Sequence, residues 1–123
     1  MKWSFEPDRP IYIQIMDEIK SRIISGEYKP GYRLESVREL AADASVNPNT
    51  MQKALSELER EGLVFAQRTS GRMITEDKVM IEQLKSKTAL SYIDAFLEKM
   101  QTMGYSPKEI LVILEKTVKE KAQ

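Results

Sequence analysis

Two helix-start signals standing close together constrain this chain more than any other feature. Ser36 followed by Glu39 has the spacing of a capping box, in which the hydroxyl accepts from the backbone ahead and the carboxylate from the backbone behind. Asn47 followed by Pro48 is the second signal: a good N-cap, then a residue whose fixed φ suits a first helical position. Only about two turns of helix fit between them, with Val37, Leu40, Ala41 and Ala44 on the buried face and Ser45-Val46-Asn47 as the break. A short helix, a tight turn and a second helix make a helix-turn-helix.

The flanks extend that motif. Upstream, Tyr12, Ile15, Met16, Ile19 and Ile23 repeat at helical spacing, which predicts a helix from about Pro10 to Ser25, stopped by Gly26. Lys29-Pro30-Gly31 is a turn, and Tyr32 to Glu35 can form a short strand. The helix begun at Pro48 should run to about Glu61, burying Met51, Ala54, Leu55 and Leu58, and stop at Gly62. Leu63 to Gln67 and Arg72 to Thr75 read as strands around the turn Arg68-Thr69-Ser70-Gly71. Helix, helix, turn, helix, hairpin is the winged helix-turn-helix order. From Glu76 the pattern is helical only, with a long helix to Met103, a stop at Gly104, and a last helix begun by Ser106-Pro107-Lys108-Glu109. The expected fold is therefore mainly α with a small β-hairpin. Residues 1–75 form a winged helix-turn-helix DNA-binding domain, and 76–123 a two-helix C-terminal dimerisation tail.

Composition narrows the chemistry. The 123 residues include no cysteine and no histidine, which excludes disulfides and thiolate metal sites and removes the commonest general base. With no nucleophile–base pair, phosphate loop or metal cluster in view, neither an enzyme nor a cofactor or metal is expected. No apolar run approaches the ~18–20 residues of a membrane span, and Met1 to Pro10 lacks the apolar stretch of a signal peptide, so a cytoplasmic setting is expected. The net charge is zero, from 19 basic and 19 acidic residues, which by itself argues against a nucleic-acid binder. The distribution argues the other way: residues 44–56 carry Lys53 and no acid, and residues 64–75 carry Arg68 and Arg72 and no acid.

Reading base edges requires a helix whose outer face holds short polar groups. Away from its apolar stripe the third helix has Asn49, Thr50, Gln52, Lys53 and Ser56, with Asn47 and Pro48 at its tip. Asn and Gln can bond adenine in two places, the Thr methyl can meet a thymine methyl or its hydroxyl a phosphate, and Lys53 can reach a phosphate or guanine. An ordinary surface helix would show Glu and Lys here; those gather at its end, in Glu57, Glu59, Arg60 and Glu61. Ser36 and Arg38 stand where the backbone N–H groups of a helix start already favour an anion, although Arg38 could equally pair with Glu35 or Asp43. Arg68 and Arg72 flank a hairpin tip whose Gly71 permits close approach or positive φ, which suits a minor groove or phosphates. The expected DNA-binding set is thus Ser36, Arg38, Asn47, Pro48, Asn49, Thr50, Gln52, Lys53, Arg68, Gly71 and Arg72. The competing reading is a winged-helix adaptor that binds protein, which the zero net charge favours.

Four separated segments together resemble the GntR family of bacterial regulators: Pro10-Ile11-Tyr12-Ile13-Gln14-Ile15; Gly26-Glu27-Tyr28-Lys29-Pro30-Gly31; Arg33-Leu34-Glu35-Ser36-Val37-Arg38-Glu39-Leu40-Ala41; and Leu55-Ser56-Glu57-Leu58-Glu59-Arg60-Glu61-Gly62-Leu63. The resemblance covers about residues 9–75. Val46-Asn47-Pro48-Asn49-Thr50 with a short helical tail is similar to the YtrA-like subfamily. It implies a repressor that binds a palindromic double-stranded operator as a homodimer, with contacts from Arg38, the tip of the third helix and the wing glycine. It also implies control of a transporter operon, of the ABC type, containing the regulator's own gene. The chain departs from many relatives, which place Arg at the positions of Pro48 and Gln52, Pro at that of Glu35, and more glycine in the wing, so base preference cannot be carried over.

Most of that family carries a large effector domain after the winged helix, and residues 76–123 are too few for one. The long helix shows Tyr92, Ile93, Phe96, Leu97 and Met100, and the last helix Ile110 and Leu114, as an apolar surface larger than two helices can hide alone. These seven residues are the expected dimerisation set. A small-molecule effector could lie among Tyr92, Phe96, Met100 and Met103, though any of these side chains could equally be plain core.

Overall fold

A computed structural model describes residues 3–67 and 71–123. Met1–Leu84 and Lys85–Gln123 form two compact units.

In the first unit, α1 spans Ile11–Ser25 and ends on Gly26. Pro10 is its N-cap rather than its first residue, one place short of the sequence expectation. Ile15, Met16, Ile19 and Ile23 are buried as the periodicity predicts, but so are the polar Gln14 and Arg22. The helix α2, Val37–Ala44, is held by the predicted box: Glu39 N–H donates to Ser36 Oγ at 3.1 Å and Ser36 N–H to Glu39 Oε1 at 3.1 Å. It ends on Ser45, whose φ of 57° is a left-handed value that a non-glycine residue holds at some cost. Val46 N–H returns to Ala41 O, closing the turn into α3, Pro48–Arg60. The inner face of α3, Met51, Ala54, Leu55 and Leu58, is buried in one cluster with α1 and α2 residues.

Strands β1, Val64–Gln67, and β2, Gly71–Ile74, pair antiparallel with Val64 opposite Ile74, Phe65 opposite Met73, Ala66 opposite Arg72 and Gln67 opposite Gly71. Val64 and Ile74 point into the core, which sets the register. The predicted strand at 32–35 reduces to one bridge, Arg33 to Met73, with Ile74 N–H donating to Tyr32 O and Leu34 N–H to Arg72 O, each at 2.9 Å. The ladder stops there because Ser36 must already cap α2.

The pattern becomes helical only from residue 76, yet the first unit continues through Leu84. Thr75 is buried, and Met80, Ile81 and Leu84 pack against the core. The helix α4, Lys78–Thr102, starts two residues later than Glu76 because Asp77 Oδ1 accepts from Met80 N–H at 3.0 Å, while Thr75 Oγ1 accepts from Asp77 N–H at 3.1 Å. Met80 Cε would lie 3.2 Å from a Cβ on Gly62, whose φ is +81°. At that position the chain turns out of α3 where a side chain would be both strained and crowded.

In the second unit, the later turns of α4 lead through Gly104 into α5, Pro107–Lys121, which is started by a second capping box between Ser106 and Glu109. Ile110 is 2% exposed, and Phe96, Leu97 and Met100 are half-buried. Tyr92, Ile93 and Leu114 are 67%, 51% and 42% exposed, as are other large apolar side chains of α5 such as Leu111, Val112 and Val118.

Candidate nucleic-acid interface

The outer half of α3 starts at Asn47. Its Oδ1 accepts from Asn49 N–H at 2.7 Å, so the residue caps the helix and presents its amide group at the tip. Pro48, Asn49, Gln52, Lys53 and Ser56 are exposed and Thr50 half-buried. Gln52 Nε2 donates to Ser56 Oγ at 3.2 Å, one turn along the same face. Lys53 Nζ sits 4.0 Å from the centre of the Tyr12 ring, a cation–π contact that draws its ammonium toward α1. The acids at the other end are each matched by a cation: Glu57 by Arg60, Glu59 by Arg72 and Glu61 by Lys20. The exposed start of α3 thus keeps its helix-dipole positive end and one lysine, while the negative charge of the later turns is locally balanced.

Arg38 is exposed on the first turn of α2. Both acids that could have claimed it are engaged elsewhere, Glu35 by the Tyr32 hydroxyl at 2.6 Å and Asp43 by Trp3 Nε1 at 2.8 Å. Among the described residues Arg38 makes no ion pair. Ser36 is occupied by its cap. The Ser36 backbone and hydroxyl hold the Glu39 carboxyl below its ordinary pKa.

At the wing, Gly71 has φ +77° with open space where a Cβ would be, so it is the backbone angle, not crowding, that selects glycine. Arg68 lies outside the described residues. Arg72 differs from the expectation of a free wing cation. Its Nε donates to Glu59 Oε1 on the last turn of α3, and its side chain is only 18% exposed.

A buried polar system behind this surface was not anticipated. Gln14 Oε1 accepts from Glu6 N–H at 2.7 Å, and its Nε2 donates to Glu6 O and Arg9 O at 2.9 Å each. That clamp fixes the segment carrying Trp3, whose indole lies 4.4 Å from the Arg22 guanidinium and bonds Asp43 on α2. Burial works against the Arg22 charge, but hydrogen bonds to Glu18 and the Tyr28 hydroxyl outweigh it and leave its pKa raised. The Glu35 hydrogen bond pushes the Tyr32 phenol up to about 12. The sequence offers only a lone glutamine between Ile13 and Ile15, with nothing local that marks it as buried.

A family model described as "Bacterial regulatory proteins, gntR family" matches residues 11–74. The chain belongs to the GntR family. This GntR regulator is 39% identical over 107 residues to the uncharacterized HTH-type transcriptional regulator YhcF of Bacillus subtilis (strain 168), covering 87% of this chain and 88% of that protein. It is 48% identical over 68 residues to the HTH-type transcriptional repressor YtrA of the same organism, covering 55% and 52%. A GntR family transcriptional regulator from Listeria monocytogenes has a related structure, with a TM-score of 0.85, 38% identity, and coverage of 91% of this chain and 98% of that one. The GntR winged-helix fold and a regulatory rather than enzymatic role follow from these matches. Among the described residues no helix is long and apolar enough to cross a membrane.

Proposed function

We propose that this GntR regulator binds a palindromic operator as a homodimer and represses transcription from it. The observation that carries this is the start of α3: an exposed, acid-free row of Asn47, Asn49 and Gln52 with Thr50 and Lys53, on a helix whose later acids are all paired. Amide side chains at a helix N-terminus are suited to base edges in a major groove. Arg38 with Ser36, the tip residue Pro48 and the wing with Arg68 and Gly71 supply phosphate and minor-groove contacts around it. Similarity to a protein named as a repressor supports the direction of regulation.

The tail supports the dimer. Tyr92, Ile93 and Leu114 are large and exposed in a single chain, and Phe96, Leu97 and Met100 are only half covered. Ile110 is already buried within its own chain, so in a dimer it would brace the interface from behind. Fully burying each large side chain contributes roughly 1.5–3 kcal/mol, and pairing two readers raises the effective concentration of the second for its half-site. By its YtrA-like character the target is an ABC-transporter operon containing the regulator's own gene. Any small-molecule effector would act through the tail.

Selection of bound duplexes from a random pool tests the reading. A two-fold-symmetric consensus with affinity falling steeply with salt is expected. Recovery of no consensus, or sedimentation as a monomer at micromolar concentration, would refute it.

A further inference from the structure

Arg72 sits at a junction of three elements. Its main chain pairs with Ala66 of β1 on one side and accepts from Leu34 N–H, just ahead of α2, on the other. Its side chain leaves the hairpin and binds Glu59, thirteen residues back on α3. The two side chains are 18% and 31% exposed, so the pair lies in a partly desolvated position where charge-assisted hydrogen bonds are stronger than at an open surface. Arg72 directly follows Gly71, where the described part of the hairpin resumes with a left-handed turn. An arginine drawn back onto a helix in this way is poorly placed to extend toward a phosphate, and well placed to fix where the hairpin leaves the body.

We propose that Glu59 and Arg72 form a latch tying the wing to α3, in which Glu59 is a positioning residue for DNA binding and Arg72 works through it rather than by touching DNA. The proposal rests on the DNA-binding reading above. The latch requires opposite charges at the two positions but not their order. A phosphate-binding arginine requires the cation at 72.

The test compares the full-length wild type with Glu59→Ala, Arg72→Met and the exchanged pair Glu59→Arg with Arg72→Glu. Affinity for the selected operator duplex is measured by fluorescence anisotropy across a salt series. Each single variant should bind about tenfold more weakly, the size of a coupling lost between contacting residues, with the slope of log affinity against log salt unchanged. The exchanged pair should recover to within about threefold of wild type, because the local charge sum and the cross-link are both kept. If Arg72→Met lowers the salt slope by about one phosphate contact, roughly 0.9 in magnitude, while Glu59→Ala does not, Arg72 touches DNA and the latch is wrong. An exchanged pair binding no better than the weaker single variant overturns it as well. Urea unfolding of these four proteins and of the double variant Glu59→Ala with Arg72→Met, all without DNA, reads the pair independently. Non-additive midpoint shifts restored by the exchange are expected, and additive shifts would show that the side chains are not coupled. Coupled midpoints with unchanged operator affinity would show a stabilising pair with no part in DNA binding, which also overturns the proposal. If the wild type binds no duplex, the DNA reading fails by itself, and the urea series alone decides whether the cross-link exists.

Discussion

Replacing Gln14 with Ala should detach the N-terminal segment from the helix core. The side chain is 7% exposed and makes three hydrogen bonds of 2.7 to 2.9 Å to main-chain atoms of Glu6 and Arg9. Each such bond contributes about 1 kcal/mol net. Glu6 and Arg9 are themselves exposed, so water can replace part of what is lost. The expected destabilisation is therefore about 2–3 kcal/mol, at the lower end of a purely buried loss. For a chain of this size that lowers Tm by roughly 6–15 °C. Trp3 is the sole tryptophan, so its emission reports the segment directly. When the clamp is cut, the indole should leave Arg22 and Asp43 and its emission should shift to the red, before global unfolding followed by circular dichroism. Gln14→Glu sharpens the test, because it keeps the acceptor for Glu6 N–H but sets a carboxylate against two carbonyls, and should be at least as damaging at neutral pH. A Tm loss under about 2 °C in both variants, with unchanged Trp3 emission, would mean the three bonds do not hold the segment and the reasoning from burial is wrong.

Asn47→Ala should cost about 1 kcal/mol in urea unfolding through loss of the α3 cap, whereas Asn47→Asp should keep the cap and stability but weaken operator binding by placing an anion at the tip. Ultraviolet titration should find Tyr32 ionising near 12, and Tyr28 also above the ordinary range because burial outweighs Arg22. Glu35→Gln should bring Tyr32 back toward its usual value. Because the folded Tyr32 pKa lies above the unfolded one, its contribution is complete below pH ~10 and fades as pH rises toward about 12. The capping carboxyls of Glu39 and Glu109 are lowered by the Ser36 and Ser106 backbones and then by their hydroxyls. Their contribution is present above the ordinary carboxylate pKa and is lost as pH falls through the lowered one, so Glu39→Gln with Glu109→Gln should flatten the acid limb of stability measured against pH.

Local chemistry was legible and distant pairing was not. The starts of α2, α3 and α5 could be read because a capping side chain bonds backbone two or three residues away, as Ser36, Asn47 and Ser106 do. The buried stripe of α1 could be read from its period, but that period says nothing of a buried Gln14, and nothing local reveals that its partners are the main chain of Glu6 and Arg9. The polar face of α3 was visible as an absence of acids. That Arg72 turns back to Glu59, or that Trp3 reaches Asp43 forty positions on, depends on the tertiary fold. The late start of α4 follows from Asp77 serving as its cap, with Thr75 holding the Asp77 backbone in turn.

The packing of Met80, Ile81 and Leu84 against the first core has a practical meaning for modularity. A fragment cut where the hairpin ends, at Thr75, would lose these three apolar side chains and uncover the end of α3 at Gly62. A fragment ending after Leu84 would keep them. Chimeras that transplant this winged helix onto a foreign domain should therefore splice within α4, beyond Leu84, and treat its opening turns as belonging to the winged helix.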